Sequence, residues 1–270
     1  KFLYTETNYT PAKTERQGTI RMELYEAFIS SLPAHLRVTM AVRGRYQAYV
    51  ETEGGAGLAS LPLPGKKPYG DAAVCTDWLG KPLRDLAAQL GSDDMSLSAL
   101  GCAAVNAWFN RRESMEALGV TLYPPEIDEG DVFRTLKPEC AGKLVSTVGH
   151  FRGGEKLAGM RELRVFEKDP RPGDYPEWEE DRLLPGSDVV VITGMALTNG
   201  TMPHILELCR DSQIVALSGP SVPVSPIWFD YGVTALFGTL CWDIPGCRKA
   251  MRYGGHKDTW KYMGKSVLRK

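Results

Sequence analysis

The residues best suited to chemistry fall in short polar loops that follow apolar runs. In "VITGMALTNGTMPHILEL" (191–208) a run fit for a buried strand gives way to an amphipathic helical pattern, with Thr193, Thr198, Asn199, Gly200 and Thr201 at the crossing. Met202, Ile205, Leu206 and Cys209 recur at helical spacing, which predicts a helix starting near Asn199 or Gly200 with Thr198 or Asn199 as its cap. Unpaired N–H groups at such a start attract carboxylates, phosphates and other anions. Capping alone accounts for one of the hydroxyls, not for the group. A second loop, "SGPSVPVSP", offers Ser218, Pro220 and Ser221 on a backbone stiffened by prolines. A third, "GHFRGGEK", sets Gly149 and Gly154 where a dinucleotide fingerprint wants glycine, but Phe151 stands where a side chain obstructs a pyrophosphate. Glu167 ends the next strand, where a ribose-binding acid would stand, and the alternative for it is a solvated strand end. His150 is suited to carry protons near neutral pH, or to serve as a hydrogen-bonded wall residue.

Other reactive side chains are scattered. The six cysteines show neither a disulfide framework nor a CxxC pair and read as reduced core thiols. Cys241 and Cys247 of "CWDIPGC" could approach each other or His256, at a wider spacing than the about two to four residues usual between zinc ligand pairs. His204 and Glu207 share a helix face, with no second pair to complete a metal site. "DYPEWEED" reads as a solvated loop or a lid over a cleft. No GxSxG, HExxH or P-loop occurs.

The elements that must position these loops divide the 270 residues into two parts. In the first, a helical pattern over Gly18–Leu32 is stopped by Pro33. A hairpin with one wet face turns at Gly44, "GGAGLASLPLPG" supplies a third strand, and "KPLRDLAAQL" and Ser96–Asn110 are helices. The last of these is apolar almost all round, so Asn106 within it either pins a neighbouring loop or faces a cleft and touches a ligand. "LYPPEIDEGD" reads as a connection, placing the boundary between residues 1–124 and 125–270. In the second part "KLVSTVGHF", "LRVFEKD", "DVVVITGMAL", "IVALSGPSV" and "TALFGTLCWD" alternate with helical patterns, which predicts a doubly wound parallel sheet with its ligand beyond the strand carboxyl ends. A formal charge of -1 provides no field for nucleic acid or an anionic membrane, and no apolar run approaches the roughly 20 residues of a membrane span. The expectation is a soluble cytoplasmic protein with a small-molecule partner.

The motifs "VGHF", "LLPGSDVVVITGMALTNGT", "ALSGPSVPVSP" and "YGVTALFG", in that order, resemble those of the putative heavy-metal chelation family, and "AGLA", "GKPLRDLA" and "LGCAAVNAWFNR" are similar to its amino-terminal domain. The resemblance implies an enolase N-terminal-like α+β domain followed by a Rossmann-like α/β domain with a shared cleft. Onto that cleft it carries Asn106 from one side and Gly149, Phe151, Thr193, Asn199, Thr201, Pro220 and Ser221 from the other, with Glu167 as the strand-end acid. It further implies a metal ion, a metal chelate or a nucleotide- or pterin-like heterocycle as ligand, handled by an enzyme or held by a binding module, with a homo-oligomer as an open possibility.

Overall fold

The computed structural model describes residues 11–62, 69–127, 129–151, 159–253 and 256–270. Gly154 and the His256 side chain, both singled out above, lie outside what it describes. In the first half α1 (Pro11–Ser30) precedes β1 (Val38–Arg43), β2 (Gln47–Thr52), β3 (Gly55–Ser60) and the short β4 (Ala73–Val74), which form one antiparallel sheet in the order β3-β2-β1-β4. Then come α2 (Leu83–Ala87), α3 (Met95–Phe109), α4 (Arg112–Ala117) and β5 (Thr121–Tyr123). Asp94 starts α3 by accepting the Ser96 and Leu97 N–H groups at 2.9 and 3.2 Å.

The second half runs α5 (Val132–Thr135), α6 (Lys137–Cys140), β6 (Leu144–Val148), β7 (Glu162–Glu167), β8 (Tyr175–Pro176), α7 (Glu180–Leu183), β9 (Val189–Thr193), α8 (Met195–Thr198), α9 (Met202–Leu208), β10 (Ile214–Ser218), β11 (Ala235–Cys241), α10 (Ile244–Tyr253), α11 (His256–Thr259) and β12 (Met263–Arg269). The strands lie in the order β5-β12-β11-β10-β9-β6-β7-β8. The five expected strands are there, with neighbours parallel from β8 across to β11. The α/β class is therefore as the sequence predicts. Two departures concern the edge: β12 pairs antiparallel with β11, and β5 pairs antiparallel with β12. The "LY" at the head of the expected connection is thus already strand.

The run of β9 buries both faces of the sheet. Val190 and Ile192 join the core that includes α1 and α3 residues, whereas Val189 and Val191 pack with Val132, Phe133, Leu136 and Cys140. The first of these cores reaches from Leu24 and Phe28 to Trp228 and Leu236, so the two sheets share one hydrophobic interior.

The expected wet face of the hairpin survives only on β1, where Thr39 is exposed, and every residue of β2 is buried. The reason is tertiary. Cys247 and Met251 of α10, with Met263 of β12, pack against Val42, Tyr49 and Leu58. Glu51, buried in β2, is compensated by the Arg248 guanidinium, whose Nε and Nη2 donate to its two oxygens at 2.6 and 2.5 Å, and by the Tyr49 hydroxyl. Among the described residues no helix is long and apolar enough to cross a membrane.

Candidate functional site

The strand order turns back on itself between β6 and β9: the chain lays β7 and β8 on one side of β6 and then β9 to β11 on the other. Loops leaving the two central strands diverge there and open a crevice. A cleft of about 550 Å³ occupies it, floored by the ends of β6, β7 and β9 at Gly149, Glu167 and Thr193 and by Met195, Ala196, Asn199 and Thr201. Tyr46, Ser60, Leu61 and Pro62 of the first half close its other side. Gly149 has φ +98°, a conformation L side chains rarely adopt, and a Cβ there would lie 3.0 Å from Thr193 Cγ2.

Of the residues singled out in the sequence, His150, Glu167, Gly149, Thr193, Asn199 and Thr201 line the cleft. The others stand elsewhere. Phe151 turns to the opposite face of the sheet and packs edge-on against Phe133, ring centroids 5.7 Å apart. Thr198 is buried and closes α8 by donating to the Met195 carbonyl at 2.9 Å. Gly200 has φ +80° and lies against the Arg21 guanidinium. Ser218 is the last residue of β10, paired with Thr193 of β9 but not in the cleft lining, and the Pro220 and Ser221 loop that follows packs beneath α3 instead of facing the cleft. The expected helix start is also displaced. The chain makes the single turn of α8, then α9 begins at Met202, and Asn199 Oδ1 accepts both the backbone N–H and the hydroxyl of Thr201 at 3.1 and 2.8 Å. The Asn199 and Thr201 amides are thus satisfied within the turn itself.

The reason for the β10 loop's position is a polar stripe on α3. Ser98, Cys102, Asn106 and Asn110 recur every fourth residue and face the second half. Ser98 Oγ donates to the Thr198 carbonyl at 2.6 Å, Cys102 Sγ to that of Ser221 at 3.4 Å, Asn106 Nδ2 to those of Pro220 and Leu58 at 2.9 and 2.7 Å, and Asn110 Nδ2 to that of Val222 at 2.9 Å. Ser221 Oγ in turn accepts the Ser60 N–H at 2.8 Å. Asn106 is therefore fully buried behind the cleft wall and staples the halves together. Asn106→Ala is expected to lower stability by about 2 kcal/mol, since it strands two buried carbonyls, a loss that urea denaturation would measure.

The segment read as a solvated loop or lid supplies a wall of the cleft. β8 pairs with the end of β7, setting Tyr175 opposite Phe166, and brings Glu177 and Glu180 to the cleft with Lys168, Asp169 and Arg171. Burial, the neighbouring Glu177 carboxylate and then Asp181 raise the Glu180 carboxyl to about 7, against the opposing pull of Lys168. Sequence reading missed this group, because an acidic run carries no sign of which carboxylate will be shielded from water. His150 is tied down: Arg171 Nη1, which can only donate, lies 3.4 Å from Nδ1, so Nε2 carries the hydrogen and donates to Asp174 Oδ2 at 2.8 Å. Glu167 accepts the His150 and Lys168 N–H groups at 2.7 and 3.2 Å. With Glu167, Asp169, Glu177 and Glu180 against Lys168, Arg171 and His150, the wall is richer in acid than the expected anion site would be.

The profile of the DUF364 family, described as "Putative heavy-metal chelation", matches residues 131–270, more than half of the sequence. The chain belongs to this family. A second profile with the same description, DUF4213, matches residues 25–109. An uncharacterized protein of Methanocaldococcus jannaschii is 27% identical over 179 residues, which span 65% of each chain. A DUF364 family protein of unknown function from Desulfitobacterium hafniense superposes with TM-score 0.79 at 26% identity, covering 93% of this chain and 99% of that one. A DUF364 protein of unknown function from Pyrococcus horikoshii shares the fold, with TM-score 0.71 at 18% identity over 94% and 99% of the two chains.

The family description raises the question of whether the cleft could itself hold a heavy metal. Its donors are carboxylate oxygens, one imidazole already engaged on both nitrogens and the single thioether of Met195, and no cysteine lines it. Among the described residues no group of three or more His, Cys, Asp or Glu side chains converges as a metal cage. Soft ions want several thiolate or thioether donors, and the lone Met195 thioether does not make such a set, so the cleft does not fit one as its own ligand shell. His204 is bonded to Asp181 at 2.5 Å, away from any such cluster.

Proposed function

We propose that the cleft takes a small heterocycle which itself chelates metal, and that the protein acts on it by proton transfer through Glu180. The observation carrying this reading is a carboxyl that titrates at about 7 inside a cleft framed by the ends of three strands. A group ionising near the working pH serves as both acid and base. His150 and Glu167, the carriers expected from sequence, are committed to Asp174 and to backbone N–H groups, which favours Glu180 for the role. The acid-rich wall suits a ligand edge carrying N–H donors, as a pterin or purine ring has, while Lys168 and Arg171 suit one anionic substituent. In this reading the metal arrives as cargo of the chelator.

Ligand-observed NMR on the full chain with a pterin, a purine mononucleotide and picolinate tests the binding half. One of the three should bind, and Thr201→Leu, which narrows the cleft, should weaken it ~10-fold or more. Failure of all three to bind, or binding indifferent to Thr201→Leu, would overturn the assignment. Mass spectrometry of the bound compound after incubation tests the chemistry, and recovery of unaltered ligand would leave a sequestering module in place of an enzyme.

A further inference from the structure

Sulfur-bearing side chains from three elements converge outside the cleft. Cys241, the last residue of β11, lies opposite Met263 of β12 in antiparallel register, which puts the two side chains on one face. Cys247 and Met251 stand one turn apart on α10 and project from the same side of that helix. All four belong to the cluster that covers β2. Cys247 Sγ donates to the Tyr262 carbonyl at 3.2 Å, the same carbonyl that accepts the Trp242 N–H at 2.8 Å, which sets this thiol at the junction between Cys241 and Met263. None of the four lines the cleft.

We propose that Cys241 and Cys247 bind one soft monovalent cation, Cu(I) in the cell, as a pair of thiolates with the Met263 thioether as third donor. Thiolate and thioether sulfur select such ions over hard ones. The nearby carboxylate, Glu51, is taken up by Arg248 and Tyr49 and does not offer a competing oxygen. Cys247, Met251 and Met263 are buried while Cys241 is partly exposed, which leaves an approach from the Cys241 side. In the step itself two S–H bonds break, both protons pass to solvent, two S–Cu bonds form, and no electron is transferred. Because both thiols give up a proton on binding, occupancy rises with pH. The site needs nothing from the cleft, so it stands or falls separately from the function proposed above.

Anaerobic titration of the full chain with Ag(I), a redox-inert probe, and with Cu(I) in competition with bicinchoninate tests the proposal. One equivalent should bind with release of two protons, and Cu K-edge absorption should show a first shell of sulfur alone. Cys241→Ser and Cys247→Ser should each weaken binding by ~100-fold or more, whereas Cys102→Ser should not. Met263→Leu should reduce the sulfur shell from three scatterers to two. A nitrogen or oxygen shell, or affinity unchanged in Cys247→Ser, would overturn it. If the serine variants do not fold, the wild-type proton count and the Met263→Leu shell decide the matter.

Discussion

Gly57→Ala is expected to destabilise the protein by about 3 kcal/mol or more, enough to unfold a marginal chain at ambient temperature. A Cβ at Gly57 would fall far inside van der Waals contact with the backbone of α3 at Ala103, Asn106 and Ala107. Backbone cannot rotate away as the end of a side chain can, so β3 and α3 would have to separate, and the Asn106 bond to Leu58 would lengthen with them. Because α3 carries the polar stripe onto the second half, the loss would extend to the Pro220 and Ser221 loop. Urea denaturation measures this, with Gly70→Ala as control, since a Cβ there meets open space. A Gly57→Ala protein within ~0.5 kcal/mol of wild type would mean the helix does not sit this close to the strand.

Glu180→Gln should lower turnover of the cleft's ligand by ~100-fold or more while changing its affinity little, the pattern of a lost proton carrier. The same substitution has a stability signature that needs no ligand. The Glu180 carboxyl is raised from its ordinary value of 4.5 to about 7 in the folded chain, so between those values the folded state holds a proton that the unfolded state has released. Stability therefore falls as pH rises through that window, and the penalty is complete above about 7. Glutamine does not ionise. Thermal melts should thus show Glu180→Gln more stable than wild type at pH 8, by about 1–2 kcal/mol after allowing for screening by the water that reaches the group, and equal to it near pH 4. Parallel melting curves across the range would remove Glu180 from the role given to it.

How much of this was legible in the sequence differs from element to element. "DVVVITG" announced a strand covered on both faces, and the glycine and threonine at its end marked a loop at the cleft, because continuous apolarity and small strand-end residues have local causes. The hairpin was legible as a hairpin but the full burial of β2 was not, because its second cover arrives from α10 nearly two hundred residues later. Asn106 read as either a pin or a ligand contact. Its neighbours Ser98, Cys102 and Asn110 at intervals of four held the answer, as a stripe of hydrogen-bonding groups on an otherwise apolar helix signals a polar seam. Phe151, Pro220 and Ser221 lie in loops that follow the expected strands but face other ways, since a loop's position follows from its strand and its direction from what packs on it.

By itself, then, the sequence determined the α/β class, the five central strands and the loops that could carry a site, all of which follow from local patterns of hydrophobicity and turn chemistry. Only the tertiary structure decided that the cleft opens between β6 and β9, that its wall is acidic, and that Glu180 is the carboxyl kept from water. Glu177 and Asp181 stand near Glu180 already in sequence, but the largest cause of its raised value is desolvation, a property of neighbours in space that arises only when the chain after β8 packs at the edge of the sheet.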